Sequence, residues 1–246
     1  MTLGDERTQE HNRFQRTYFE RARHRTLNRS GSTYLRRHVD RMVAFAGIEP
    51  GMRVLEVGCG PGRYTFLLAE RGVKVEGLDL SPQLIAQLEE NNAGRYEIPT
   101  YGFDLADSPT EMYGAFDAVI GFFVLHHVHE LDRCLEVAAK LVKPGGSVAF
   151  LEPNPLNPLY YVQITLTPEM SWKGEKGIFS MRPDVVLSSM LRAGLEEPEL
   201  LRFGFLPPFA TNLPFGPAVE DALEKVALWK PLLPFQLFGG RRPAGS

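Results

Sequence analysis

The chain is 246 residues long, 43% apolar and 23% charged, with a formal net charge of −3. That is ordinary for a globular protein and enough for a full core at this length, so one α/β domain with an elaborated edge is expected and no partner class is implied by charge. Two distant cysteines, Cys59 and Cys134, exclude a disulfide framework, and no stretch approaches the roughly 18 apolar residues of a membrane span.

Charge is distributed unevenly. Residues 1–53 hold 11 Arg against 6 Asp and Glu. Because acids and aromatics interrupt the arginines, this arm reads as a solvated helix face, not as a nucleic-acid-binding tail. Within residues 1–30, Phe14, Tyr18, Phe19 and Ala22 form a narrow apolar stripe, broken at Ser30-Gly31-Ser32. Ser32 reads as the N-cap of a stronger helix carrying Leu35, Val39, Met42, Val43 and Ala46 on one face, ended by Gly47 and Pro50-Gly51. No apolar secretory segment precedes it, and reduced thiols fit a cytoplasmic location.

From Arg53 onward strands and helices alternate. Arg53–Val57 is the first strand, followed by the glycine turn of residues 58–62 and a helix over Tyr64–Glu70. Val73–Leu78 is the second strand, ending at Asp79. Ser81 caps a helix with Pro82 at its first position and Leu84, Ile85 and Leu88 on its apolar face. Ile98–Phe103 is the third strand, ending at Asp104, and Phe116–Phe122 the fourth, apolar enough to be buried on both faces. Leu131–Val142 is an amphipathic helix, Pro144-Gly145-Gly146 a turn, and Ser147–Leu151 the fifth strand.

Past Glu152 the rhythm changes. Segments 153–180 and 204–217 are rich in Pro, Asn, Gly, Phe and Tyr, with a helix over Asp184–Ala193 between them. A strand at Leu200–Phe205, a helix at Val219–Trp229 and a strand at Phe235–Gly239 complete the chain. The expected fold is a doubly wound, mostly parallel seven-stranded α/β sheet with an antiparallel edge. It forms a single domain of 1–246: an N-terminal helical arm (1–50), a ligand-binding core (51–152) and a lid insert with edge strands (153–246).

In such sheets ligands lie beyond the carboxyl ends of the strands. The glycine turn, Asp79, Asp104 and the stretch Phe122–His127 all fall there. An acid at the end of the second strand suits a ribose, and Asp104, acceptor-only when ionised, suits an exocyclic amine. The turn spacing is Gly-x-Gly-x-Gly, and Arg63 stands where a pyrophosphate-binding turn would carry its third glycine. A ligand with adenosine and no phosphate is the better match.

Val54-Leu55-Glu56-Val57-Gly58-Cys59-Gly60-Pro61-Gly62 resembles the first motif of the class I, Rossmann-like S-adenosylmethionine-dependent methyltransferases. Gly77–Ser81 resembles their second-strand acid motif, and Asp104 their third. Phe116–Ile120 with Val124-Leu125-His126-His127-Val128 is similar to their fourth strand and exit loop, and Leu141–Gly146 to the turn before the fifth. Within the superfamily the chain looks most like the small-molecule branch that includes ubiquinone and menaquinone biosynthesis enzymes. The resemblance spans residues 33–152 and implies S-adenosylmethionine as cofactor, S-adenosylhomocysteine as product and a small-molecule acceptor. It implies that Glu56, Gly58 and Gly60 line the methionine end, that Cys59 and Tyr64 also bind the cofactor, and that Asp79 holds the ribose. Leu80, Asp104 and Leu105 would then surround the adenine, and Phe122 lies at the methionyl amine.

His126 and His127 are the candidate catalytic residues, since an imidazole pKa of about 6.5 suits a base. One of the pair is expected to face the pocket while the other packs; both being structural is the competing reading. His129 reads as solvent-facing. Acceptor-binding candidates are Tyr18, Phe19, Tyr34, Tyr160 and Trp172, set in an aromatic, proline-stiffened lid that would exclude water. No His, Cys or Asp cluster has metal-ligand spacing, and Glu152-Pro153-Asn154-Pro155 follows the wrong strand to be a base-methylating motif, which disfavours nucleic acid. The apolar segments Phe205–Phe209 and Trp229–Phe235 suggest a hydrophobic acceptor or transient membrane contact, and the chain is taken as monomer or homodimer. The alternatives are an NAD-dependent oxidoreductase, which lacks its third glycine here, and a non-catalytic assembly protein, which would not need an intact glycine turn.

Overall fold

The computed structural model describes residues 3–21, 32–168 and 170–245. Ala22, Ser30 and Gly31, part of the expected stripe and break, lie outside the described residues. Helix α1 (Leu3–Arg21) and helix α2 (Thr33–Ala46) form the arm. Ser32 caps α2 by accepting a hydrogen bond from the Leu35 amide, and Gly47 closes it in the left-handed region.

The core is a seven-stranded sheet in the order β3-β2-β1-β4-β5-β7-β6. Strands β1 (Arg53–Val57), β2 (Lys74–Leu78), β3 (Thr100–Tyr101), β4 (Phe116–Phe122) and β5 (Val142–Pro153) pair in parallel. Strand β7 (Phe235–Arg241) runs antiparallel between β5 and β6 (Glu196–Phe203). The expected antiparallel edge is therefore present, with β7 inside it and β6 outermost.

Alternation along the strands builds two cores. Leu55, Val119, Val148, Phe150 and Phe238 face one side, where they meet α5 (Leu131–Leu141) and α7 (Pro183–Arg192). Val54, Ile120, Leu151 and Leu237 face the other, covered by α2 and by α3 (Thr65–Ala69). Burying β4 on both sides explains its apolar run from Ala118 to Phe122.

Three elements differ from the sequence expectation. Strand β3 keeps only Thr100–Tyr101 of the expected Ile98–Phe103, because Pro99 has no amide to donate; its carbonyl still accepts from Gly77 at 2.8 Å. The Pro144-Gly145-Gly146 turn is absorbed into β5 as an irregularity in its pairing with β4, between Phe116 and Ala118. The helix expected over Val219–Trp229 is split into α9 (Gly216–Glu224) and a 3₁₀ turn, Ala227–Leu232, which contains Pro231. The insert after β5 also carries α6 (Pro158–Leu166) and the short α8 (Pro208–Thr211).

Register places the site. Val57 pairs with both Leu78 and Gly121, and Leu78 with Tyr101. The carboxyl ends of β1, β2, β3 and β4 are thus level, and the residues that follow them open onto one crevice.

Candidate active site

A cavity of about 370 Å³ fills that crevice. Its floor is the glycine turn. Gly60 has φ +51°, and a Cβ added there would meet nothing within 4 Å, so the turn leaves open space for a ligand directly above its backbone. Asp79 clamps the turn: one carboxylate oxygen accepts from the Gly60 amide at 2.8 Å and the other from the Ser81 amide at 2.8 Å. Burial raises the Asp79 pKa, against the pull of those two amides.

Asp104 caps the 3₁₀ turn that follows it, accepting from the Ala106 amide at 2.9 Å, and its other oxygen accepts from the Asn12 side chain. Asp107, its sequence neighbour, is exposed and paired with Arg133, so Asp104 is the acid on the cavity wall. Gly58, Cys59, Leu80, Leu105 and Phe122 line the same wall. Tyr64 stacks on Phe122 at 4.2 Å, and its hydroxyl meets His38 Nδ1 at 3.0 Å.

Glu56 is placed differently from the expectation. It lies under the turn and off the cavity wall, 1% exposed, with Oε2 lacking a hydrogen-bond partner among the described residues. Alternation along β1 turns it toward α3, where the Thr65 side chain favours its ionised form. Burial nonetheless pushes its carboxyl up to about 8.

The two histidines diverge. Phe123, at φ 56°, turns the chain sharply after β4 in a region that costs a non-glycine residue about 1–3 kcal/mol. The Val124 and Leu125 amides then donate to Glu152 Oε1 at 3.0 and 2.7 Å. Glu152 Oε2 holds His126 Nδ1, and Glu175 Oε2 holds His126 Nε2 at 3.2 Å. Burial lowers the His126 pKa, but the two carboxylates outweigh it and lift it to about 9. His126 also borders the cavity, and both of its ring nitrogens are engaged by carboxylates.

His127 is the opposite case. Burial and the neighbouring His126 charge push it down to about 3, so it is neutral. It lines the cavity, and its buried Nδ1 has no hydrogen-bond partner among the described residues. Phe19 packs edge-on against its ring at 4.9 Å.

Glu175 was not legible in the sequence. It arrives from the insert, 49 residues beyond His126. Gly177 makes the approach feasible: a Cβ there would come within 1.7 Å of the His126 carbonyl oxygen. Tyr160 donates to Glu175 Oε2 at 2.7 Å and Tyr18 to Oε1 at 3.0 Å. The bond from His126 holds the Glu175 carboxyl below its ordinary value despite burial, which acts to raise it. His126, His127 and Glu175 thereby bring three ligand-type atoms within 4.8 Å of one another, a cluster that residue spacing does not reveal.

Of the expected acceptor residues, Phe19, Tyr34 and Tyr160 line the cavity. Tyr18 is set behind it, spent on Glu175, and Trp172 stacks on Tyr161 at 5.9 Å with half its surface exposed. Sequence reading missed Asn12 and Gln163, which also face the cavity; Asn12 sits among polar residues and Gln163 between Val162 and Ile164, a weak signal in one sequence.

The sheet order, the open glycine turn and the two strand-end acids define an adenosine-binding methyltransferase fold. Residues 18–194 match the methyltransferase domain family. A ubiquinone biosynthesis O-methyltransferase of Dechloromonas aromatica is 32% identical over 69% of this chain and 73% of its own length. A demethylmenaquinone methyltransferase of Tropheryma whipplei is 34% identical over 43% of this chain, which spans 44% of that relative. Among solved structures, a SAM-dependent methyltransferase from Archaeoglobus fulgidus superposes with a TM-score of 0.61 at 17% identity, over 86% of this chain and 95% of that one.

This chain belongs to the methyltransferase domain family and is a methyltransferase that uses S-adenosylmethionine. The residues fit that cofactor: open space above Gly60 and two acids, the buried Asp79 and Asp104, on the wall of the same cavity.

Proposed function

We propose that the protein transfers the methyl group of S-adenosylmethionine to a ring hydroxyl of an apolar, quinol-like small molecule. The cofactor supplies an electrophilic methyl on a sulfonium, so the chain's own task is to orient an oxygen in line with it and exclude water. The observation that carries the acceptor class is the composition of the cavity beyond the glycine turn. Phe19, Tyr34, Phe123, Tyr160 and Met170 give it apolar, aromatic walls, while His127 and Glu175 form one polar end. A flat ring fits between those walls, and its hydroxyl fits the polar end. The ubiquinone and menaquinone relatives support this class.

Leu166 on α6, Phe209 on α8 and Leu228 on the 3₁₀ turn are each more than 70% exposed. They support transient contact with a membrane that holds a prenylated acceptor; no helix among the described residues is long and apolar enough to cross one. Incubation with S-adenosylmethionine and a panel of catechols of increasing side-chain length should yield S-adenosylhomocysteine and the O-methyl product, with KM falling as the chain lengthens. Turnover of polar amines in preference to catechols would overturn the acceptor assignment, and failure to float with liposomes would remove the membrane contact.

A further inference from the structure

The polar end of the acceptor cavity has the donor set of a metal centre. We propose that His126 Nε2, His127 Nδ1 and Glu175 Oε2 bind one divalent transition cation of the zinc class, with an open coordination position toward the cavity.

Four observations carry this. Each of the three residues offers one ligand atom, and these atoms lie within 4.8 Å of one another. His126 Nε2 and Glu175 Oε2 are 3.2 Å apart, near the separation of about 3.4 Å that two donors on one tetrahedral ion take with bonds of about 2.1 Å. His127 Nδ1 is buried and has no partner among the described residues, so a lone pair stands ready beside the other two. The surroundings are already those of a ligand set. Glu152 holds the far nitrogen of His126, as carboxylates do behind metal-bound imidazoles, and Tyr18 and Tyr160 orient Glu175.

Two imidazoles and one carboxylate favour zinc, cobalt or iron over magnesium or calcium, which prefer all-oxygen sites. The three ligands leave a fourth position facing the cavity, the arrangement of catalytic rather than structural sites. An acceptor oxygen reaching that position would be polarised without any protein base, which accords with the engagement of both His126 nitrogens. Binding displaces the proton from His126 Nε2, while Glu152 keeps the one on Nδ1, so metal uptake releases a proton.

The test uses the full chain, stripped with chelator and titrated calorimetrically with Zn²⁺, with Mg²⁺ as comparison. One zinc per chain is expected, with affinity at least about 10-fold weaker in His127→Ala and in Glu175→Gln. His129→Ala, an exposed histidine on the same loop, should bind as the parent does. Co²⁺ should give a visible ligand-field band in the parent that His127→Ala abolishes. Absence of zinc uptake and of a cobalt band in the parent would overturn the proposal even if a variant fails to fold. So would uptake that both ligand variants leave unchanged, or Mg²⁺ binding as tightly as Zn²⁺. Metal binding is read here without an acceptor, so its failure is distinguishable from failure of the methyl-acceptor reading.

Discussion

Glu56 and His126 are both buried and ionisable, and they resolve their burial in opposite ways. Glu56 stays protonated. Its carboxyl is raised from an ordinary 4.5 to about 8, so the folded state retains a proton that the unfolded chain releases over that interval. Its contribution to stability therefore falls as pH rises from about 4.5 to about 8 and is level above that. Glu56→Gln should gain stability relative to the parent progressively across this window in the ligand-free protein, measured by urea unfolding at several pH values. Parallel curves would mean Glu56 ionises at its ordinary pKa. His126 instead takes a charge and two carboxylate partners. Removing it in His126→Ala leaves Glu152 and Glu175 buried without their counter-charge, a loss of about 3–5 kcal/mol. At about 2–4 °C per kcal/mol for a chain of this size, the melting temperature should drop by about 6–20 °C. His127→Ala, which removes ring packing but no ion pair, should lose less than His126→Ala. Equal melting of the two variants would refute the distinction drawn between them.

At the scale of elements, α1 lies across the site without belonging to any of the hydrophobic clusters among the described residues. Its contacts are polar and aromatic, and several fall on the site itself. Asn12 donates to Asp104, His11 Nε2 meets the His127 carbonyl at 2.7 Å, and the Ser81 hydroxyl donates to Glu20 at 2.6 Å. Such an element can leave at small cost to the fold while changing access to the cavity. Deleting residues 1–21 should leave the sheet folded by circular dichroism and accelerate cofactor release, read by stopped-flow fluorescence. An unchanged release rate would deny α1 a gating role. These contacts also mark where sequence reading stops. Core strands and caps were legible because their signals are local: the apolar run of β1, Ser32 before α2, Ser81-Pro82 before α4 (Pro82–Asn92). The strand-end acids were legible because a parallel sheet forces them to one edge. The direction of Glu56 was open to the same reasoning, since alternation turns it from the crevice, but the motif drew it toward the cofactor. Glu175 was beyond reach. Its role depends on an insert folding back over 49 residues and on Gly177 meeting a carbonyl, neither of which has a periodicity.

For the whole molecule, cofactor and fold are thermodynamically one system. The glycine turn, Asp79 and Asp104 come from three different strand ends, level only when β1, β2 and β3 are paired. The unfolded chain therefore has no cofactor site, and binding adds directly to folding stability. At a free ligand concentration 100 times Kd that gain is about 2.7 kcal/mol. With about 2–4 °C per kcal/mol at this chain length, S-adenosylmethionine should raise the melting temperature by about 5–10 °C. S-adenosylhomocysteine should act similarly, because the adenosine and its ribose acid are common to both. NAD⁺ shares the adenosine but brings a pyrophosphate to a turn where Arg63 replaces the glycine that would admit close helix packing around it. It should shift the midpoint far less under the same conditions, because a ligand that binds weakly adds little to folding stability. A shift with NAD⁺ as large as that with S-adenosylmethionine, measured by differential scanning fluorimetry, would contradict the assignment of this crevice to a phosphate-free adenosine cofactor.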